Sequence, residues 1–391
     1  MTATASLRDA SYERRARFAA YLWSMHDMPQ AEIGGVLGGV SQSHVSRLLS
    51  HAERAGYLVI ERRFVDSALS DEDRRDLRDL LAPSGLVERL EAFCARHDLP
   101  VPSLDVHQSG PGATAGAMAL RRRRFGRAAA GGILARLRDQ ATVGVAWGRT
   151  IGAVIDGMAQ SKAPRPPQAE VEVVPVCAEL LLTSQRELSS SRMAERLSEV
   201  LCAAPHQTPQ LTGFPAYVPR HYDGAGRDAI WHLIRNAPNY ARILHGPDAL
   251  VGRMDALITS VGHAALPVLG GFDDLLRAGG IDAEDLKSLI VGDIGGLLIP
   301  RPEASDADCR LIEELNGMWT GISLAQVSTI AARARKTPLR AGVIVLALRS
   351  ERAATLLETV RHGLASHLVM DHDAAEGLKA QLDRQSPNHV A

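Results

Sequence analysis

Lysine is almost missing. Of 44 basic residues only Lys162, Lys287, Lys336 and Lys379 are lysine, and the other 40 are arginine. Such a bias follows the base composition of a genome more often than a function, but it excludes a lysine-rich tail. Cysteine is scarce as well. Cys94, Cys177, Cys202 and Cys309 contain no CxxC pair, which argues against a zinc ribbon and a disulfide scaffold. Long apolar runs are absent. The longest clean one, Val343 to Leu348, is far too short to span a bilayer. The opening stretch, MTATASLRDASYERR, lacks the apolar centre of a signal peptide. These absences predict a cytoplasmic chain with reduced thiols, with no membrane partner, cofactor or metal. An excess of one charge sign is also lacking. A formal net charge of -1 excludes a globally basic nucleic-acid binder and leaves room for a local basic patch.

What is present is an ordinary globular composition over 391 residues, 46% hydrophobic and 23% charged, long enough for two or three domains. Residues 1–63 read as one small helical unit. Tyr12 to Met25 has Phe18, Leu22 and Trp23 near helical spacing. Pro29 suits the first turn of a short second helix, about Gln30 to Leu37, which buries Ile33 and Leu37. Gly38-Gly39 makes a tight turn, and Ser41 is placed to cap a third helix running to about Ala55. Gly56 fits the position just past its end. Tyr57 to Arg62 alternates like a wing strand. Two helices joined by a glycine turn, the second capped and starting with short polar groups, match a helix-turn-helix pattern. Gln42, Ser43, His44 and Arg47 are the candidate base readers, and Ser41 and Ser46 candidate phosphate contacts or caps. The alternative is a plain bundle with a solvated face: eight arginines against six acids leave residues 1–63 at only +2.

Residues 64–103 read as a charged connector followed by a helix over 84–97. The apolar face of that helix, Leu86, Leu90 and Phe93, is a candidate self-association surface or packs within its own chain. Residues 104–391 read as α/β. Candidate strands Thr142–Ala146, Val171–Val176, Ala256–Val261 and Gly342–Leu348 alternate with candidate helices Gly126–Asp139, Arg149–Ala159, Arg192–Cys202 and Ala353–Gly363. That order implies βαβ units and a mostly parallel sheet. Unbroken apolar runs suit strands covered on both faces. The run Arg121 to Arg124, with Arg127, reads as a solvated or interfacial helix face, with phosphate contact the less common outcome.

Three glycine turns follow strand-like runs. In Trp147-Gly148-Arg149-Thr150 a strand passes through glycine into a helix, where backbone N–H groups bind anions. Gly262 and His263 follow another strand. Asp293 lies between glycines in VGDIGG, where a carboxylate holds sugar hydroxyls or caps a turn. Together the three turns suggest a shared pocket.

On these residues the chain resembles the SorC family of bacterial transcriptional regulators over about 10–380. Pro29–Gly56 is similar to the family's DNA-binding half. VGVAWGRTIGAV (143–154), ALITSVG (256–262), LIVGDIGG (289–296) and LLETVRHGLASHLVMDHDAAEGL (356–378) are similar to its effector half. The resemblance implies a fold like that of ribose-phosphate isomerases, glucosamine-phosphate deaminases and CoA transferases. It also implies a double-stranded DNA operator, a phosphorylated-sugar effector and a homo-oligomer, dimer or tetramer. Trp147, Gly148, Arg149 and Thr150 resemble the first phosphate-side loop, Gly262 the glycine of the second, and Asp293 the hydroxyl-binding acid. Asp371 falls in a late turn as a cap or a ligand. One departure stands out: a Gly-Gly pair and lysine normally follow the last long strand, whereas this chain has Arg349-Ser350-Glu351-Arg352. Arg349 or Arg352 then supplies the cation. The competing readings are an assembly protein with an altered pocket, and an enzyme, for which His263 and Asp293 are the only candidate bases.

Overall fold

The computed structural model describes residues 11–58, 70, 73, 76, 77, 80–110, 115–161, 171–179, 188–202, 208–220, 222–264, 276, 278–337 and 339–385. The chain divides into two compact units, residues 1–65 and 66–391.

The smaller unit contains α1 (Tyr12–Met25), α2 (Gln30–Val36) and α3 (Gln42–Arg54). Its core is Ala16, Ala19 and Ala20 of α1 against Ile33, Leu37, Val45, Leu48, Leu49, Ala52 and Leu58. Phe18, expected inside, is exposed, and Leu22 and Trp23 are half-buried. The alanines let the helices approach closely, and the large side chains flank them. Tyr57 and Leu58 form no strand, and residues 59–62 of the expected wing lie outside the described residues.

In the larger unit α4 (Leu86–Arg96) starts after Gly85, which takes φ +76°. Leu86, Leu90, Phe93 and Cys94 are buried in this unit's main core. Arg89 pairs with Asp383 of the last helix, α13 (His372–Arg384). The apolar face of α4 is therefore covered by its own chain, and it is not a free self-association surface.

Six strands form one sheet: β1 (Ser103–His107), β2 (Thr142–Val145), β3 (Glu172–Pro175), β4 (Ala256–Ser260), β7 (Gly342–Ala347) and β8 (His367–Asp371). Their order is β1-β8-β7-β4-β2-β3, and every pairing is parallel. β2 and β7 are buried at every position, as their continuous apolar sequences require of strands with both faces covered. β1 and β8 escape the sequence pattern because both begin and end on polar residues, so neither reads as an unbroken apolar run. LIVGDIGG, read as a strand-end loop, is instead an antiparallel hairpin of β5 (Ile290–Ile294) and β6 (Leu297–Pro300).

Helices α5 (Ala115–Leu137) and α6 (Arg149–Gln160) flank β2. α5 is longer than the expected Gly126–Asp139 because it continues back through the arginine run, and arginine is a good helix former. Its Gly126 has a specific reason: a Cβ there would lie 2.0 Å from the Ala153 carbonyl oxygen, and one on Gly157 would lie 2.3 Å from the Gly126 carbonyl oxygen. The two backbones touch.

The chain leaves β2 for β3 at one edge, then returns to β4 on the other side of β2 and moves away through β7 and β8. The carboxyl ends of β2 and β4 thus lie side by side with their connections departing in opposite directions. In parallel sheets such a switch point is where ligands bind.

Candidate functional site

In the smaller unit, the turn between α2 and α3 is built on glycine. Gly38 and Gly39 take φ +93° and +83°. A Cβ on Gly34 would fall 2.3 Å from the Val40 carbonyl oxygen. Ser41 caps α3: its Oγ accepts the His44 N–H at 3.3 Å and lies 3.0 Å from the Ser43 Oγ. Gln42, Ser43, Ser46 and Arg47 are exposed along the start of the helix. His44 departs from this set. It is half-buried, its ring meets Tyr12 edge-on at 6.0 Å, and its Nε2 is buried without a hydrogen-bond partner. The expectation that His44 reads bases is therefore corrected: its ring packs toward α1. The exposed polar set is Gln42, Ser43, Ser46 and Arg47, with Ser41 as the cap.

In the larger unit the sequence-picked residues gather at the switch point. Gly148 takes φ +128° and opens α6. Arg149 beside it is exposed, with no ion pair or hydrogen bond to other described residues, and Thr150 is half-buried. Trp147 has a different job from the one expected. It is buried, and its indole N–H donates to the Gly295 carbonyl at 3.2 Å. It bolts the β2 loop to the hairpin turn. The Gly262 N–H donates to the Asp293 carbonyl at 2.8 Å, and the Gly295 N–H to the Ser260 carbonyl at 3.0 Å. The hairpin is thereby tied to the end of β4.

Asp293 is buried, and its Oδ2 accepts the Gly296 N–H at 2.9 Å. It closes the hairpin turn. Burial pushes its pKa up to about 6, with the Gly296 N–H and Arg352 pulling the other way. His263 is half-buried. Burial and then Arg352 hold its pKa below the usual histidine value.

After β7, Arg349 takes φ +77° and ψ 147°, backbone space that is essentially glycine's. The glycine is gone, yet the bend it would make is retained. Asp371 holds it: its Oδ1 accepts the Arg349 N–H at 2.9 Å and the Ala374 N–H of α13 at 3.0 Å. Its Oδ2 accepts from Ser109 Oγ at 2.9 Å and Arg121 Nε at 2.7 Å, and Arg121 Nη2 joins the same oxygen. A fully buried carboxylate with five donors has little left for a ligand, so Asp371 is a structural cap. The Arg349 side chain pairs with Glu351. Arg352 donates from Nε to the Val261 carbonyl at 3.0 Å and from Nη1 to the Leu348 carbonyl at 2.7 Å. It spans the ends of β4 and β7.

Two residues of the arginine run were missed. Arg121, with a side chain only 5% exposed, is bound to Asp371 and Asp373. The sign was available: Phe125, four residues on, is apolar, and both lie on the buried face of α5. Arg122 is half-buried. Burial, then Arg149 and Arg352, disfavour its charge. No group of three or more His, Cys, Asp or Glu among the described residues is placed to hold a metal. No helix among them is long and apolar enough to cross a membrane.

No family model matches the chain, and no curated protein matches it. Solved structures do. The full-length sorbitol operon regulator SorC from Klebsiella pneumoniae is 16% identical, with a TM-score of 0.53 over 94% of this chain and 99% of that one. A DeoR family transcriptional regulator from Listeria monocytogenes is 17% identical, with a TM-score of 0.51 over 75% of this chain and 100% of that one. The chain has the fold of the SorC- and DeoR-type transcriptional regulators.

Proposed function

We propose that the protein is a cytoplasmic, homo-oligomeric transcriptional regulator whose affinity for a DNA operator changes when a small anionic metabolite of the sugar-phosphate class binds. One observation carries the reading: a single chain holds an exposed, capped polar helix start after a helix-turn-helix bend, and Arg149 and Arg352 at the strand ends of a parallel-sheet switch point. Gln42, Ser43, Ser46 and Arg47 reach base edges and phosphates in the major groove. Gly148, Arg149, Thr150, Gly262, His263 and Arg352 form the effector cleft, with Arg349 at its rim. Effector binding shifts the population between two assemblies of different operator spacing. The enzyme reading has less support, because it leaves the helix-turn-helix unit without a role.

The test is capture of genomic fragments by the full chain at about physiological salt, followed by fluorescence anisotropy on the enriched site. Paired half-sites are expected. Arg47→Ala weakens binding there by roughly 10- to 100-fold, the scale of one bidentate base contact, and leaves the fold intact because Arg47 is exposed. Folded protein that enriches no site, with and without a panel of sugar phosphates, overturns the reading.

A further inference from the structure

We propose that Ser103, His367, Arg136 and Asp105 form a latch that fastens the edge strand β1 to the sheet and opens on acidification; it does not rest on the regulator reading above. The chain enters the sheet through β1 after α4, and among the described residues β1 pairs only with β8. Leu104 and Val106 are buried on one face of β1, and Ser103, Asp105 and His107 alternate onto the other. That second face lies against α5. The His107 ring meets Phe125 edge-on at 6.0 Å, and Arg136, in the last turn of α5, pairs with Asp105 at 2.8 Å. A Cβ on Gly132 would stand 3.3 Å from Arg136 Nη1, so glycine leaves the guanidinium its room. Polar groups therefore join the strand edge to its helix.

His367 is the pivot. It stands opposite Ser103 in the β1–β8 register and is half-buried. Two groups converge on its Nδ1: the Ser103 hydroxyl, and Arg136 Nε at 3.3 Å. A guanidinium has donors only, so Nδ1 accepts and carries no proton. The ring is neutral, with its hydrogen on Nε2, and the Ser103 hydroxyl donates to the same nitrogen. Protonation at Nδ1 removes that acceptor. It also turns a donor against the Arg136 guanidinium and sets two cations side by side in partly desolvated space.

The charged groups that face the ring are Arg136 of α5 and Asp105 of β1, and Asp105 is already paired with Arg136. Asp371, further along β8 and opposite His107, is committed to Arg121. Burial and then Arg136 hold the His367 pKa down at about 4, against Asp105 and the Ala341 backbone. His107 is also held below the usual histidine value by burial, with Asp105 opposing and Arg136 adding to it. A histidine depressed in the closed state binds its proton more tightly once the latch is open. The latch therefore stabilises fully above the ordinary histidine value of 6.5 and is lost as pH falls toward about 4.

The experiment is hydrogen exchange of the full chain, read by mass spectrometry from pH 7.5 to pH 5, with each rate divided by the intrinsic rate at that pH. At β1 and the last turns of α5, wild-type protection falls by about 30-fold from His367 alone, the ratio set by an open-state value of 6.5 and a closed-state value of about 4. Protection of β2 and β7 changes little. His367→Asn keeps an acceptor and cannot be protonated, so the fall shrinks to what His107 contributes. In the double variant His107→Gln, His367→Asn it vanishes. Arg136→Gln removes the opposing cation, so the closed-state pKa of His367 rises and the fall shrinks there too. Each variant is read as its own slope against pH, so a lower starting stability does not enter. Three results overturn the proposal. One is wild-type protection at β1 that stays flat across this range. Another is a fall in His367→Asn as steep as in the wild type. The third is loss at β2 and β7 in step with β1, which marks global unfolding.

Discussion

The two units differ in how far apart in sequence their candidate functional residues lie. In the smaller unit, Ser41, Gln42, Ser43, Ser46 and Arg47 belong to the start of one helix, and a single cap and a glycine turn present them. In the larger unit the candidate residues lie on the β2 loop, the β4 end, the hairpin and the β7 loop, so they run from Trp147 to Arg352. The first site needs only local backbone geometry and a small alanine-lined core. The second exists only when a six-strand parallel sheet has closed in one strand order. A local site survives modest loss of packing, whereas an assembled site depends on the contacts that hold its pieces in register.

Removing Asp371 puts that contrast under the heaviest strain. Asp371→Ala leaves the Arg121 guanidinium buried beside only Asp373, uncaps α13 and frees the strained Arg349 bend. Breaking a buried pair by removing one partner costs roughly 3–5 kcal/mol. Denaturant unfolding is expected to show that loss, and hydrogen exchange is expected to rise at β7, β8 and the start of α13 while α1 to α3 are unchanged. Equal acceleration in the small helical unit would break the comparison.

Asp293 sharpens it through pH. Its pKa is raised from the ordinary 3.8 to about 6, so folding binds its proton more tightly than the unfolded chain does. The stability linked to that proton is complete below about pH 4 and is lost as pH rises through about 6. Asp293→Asn keeps an acceptor for Gly296 and removes the ionisation. It is expected to stabilise the protein at pH 8 by up to about 3 kcal/mol and to match the wild type near pH 4. An equal effect at both pH values would mean that the carboxylate is not paying a burial penalty.

The smallest effect belongs to the local site. Ser41→Ala removes the cap of α3 and is expected to cost about 1 kcal/mol. Faster exchange should be confined to the first turn of α3, with the β-sheet unaffected.

Legibility in the sequence tracked the same divide. The three N-terminal helices, the Ser41 cap and the left-handed Gly56 were readable because each depends on neighbours a few residues away. Four apolar strands were readable because burial on both faces leaves nearly unbroken apolar runs. His44 was misread because helical spacing alone does not say which polar residue turns toward a neighbouring tyrosine. The arginine run was misread more deeply. Its residues look alike in sequence, yet Arg121 is a buried structural ion, Arg122 is half-buried and Arg123 is solvated. Only the rotation of α5, set by the Asp371 clamp and the Gly126 contact with α6, separates them. The loss of glycine after β7 suggested a changed backbone, but Asp371 accepts the Arg349 N–H and holds an arginine in glycine-like φ space.

By itself the sequence determined the two-part organisation, the helix-turn-helix caps and the parallel α/β class, because caps, turns and periodicity act over a few residues. Tertiary structure alone decided which polar groups meet. Strand order joins the β2 and β4 loops at a switch point, the hairpin takes up Asp293, and Asp371 gathers donors from four elements. Such meetings depend on strand order and helix rotation, and no run of neighbouring residues encodes them.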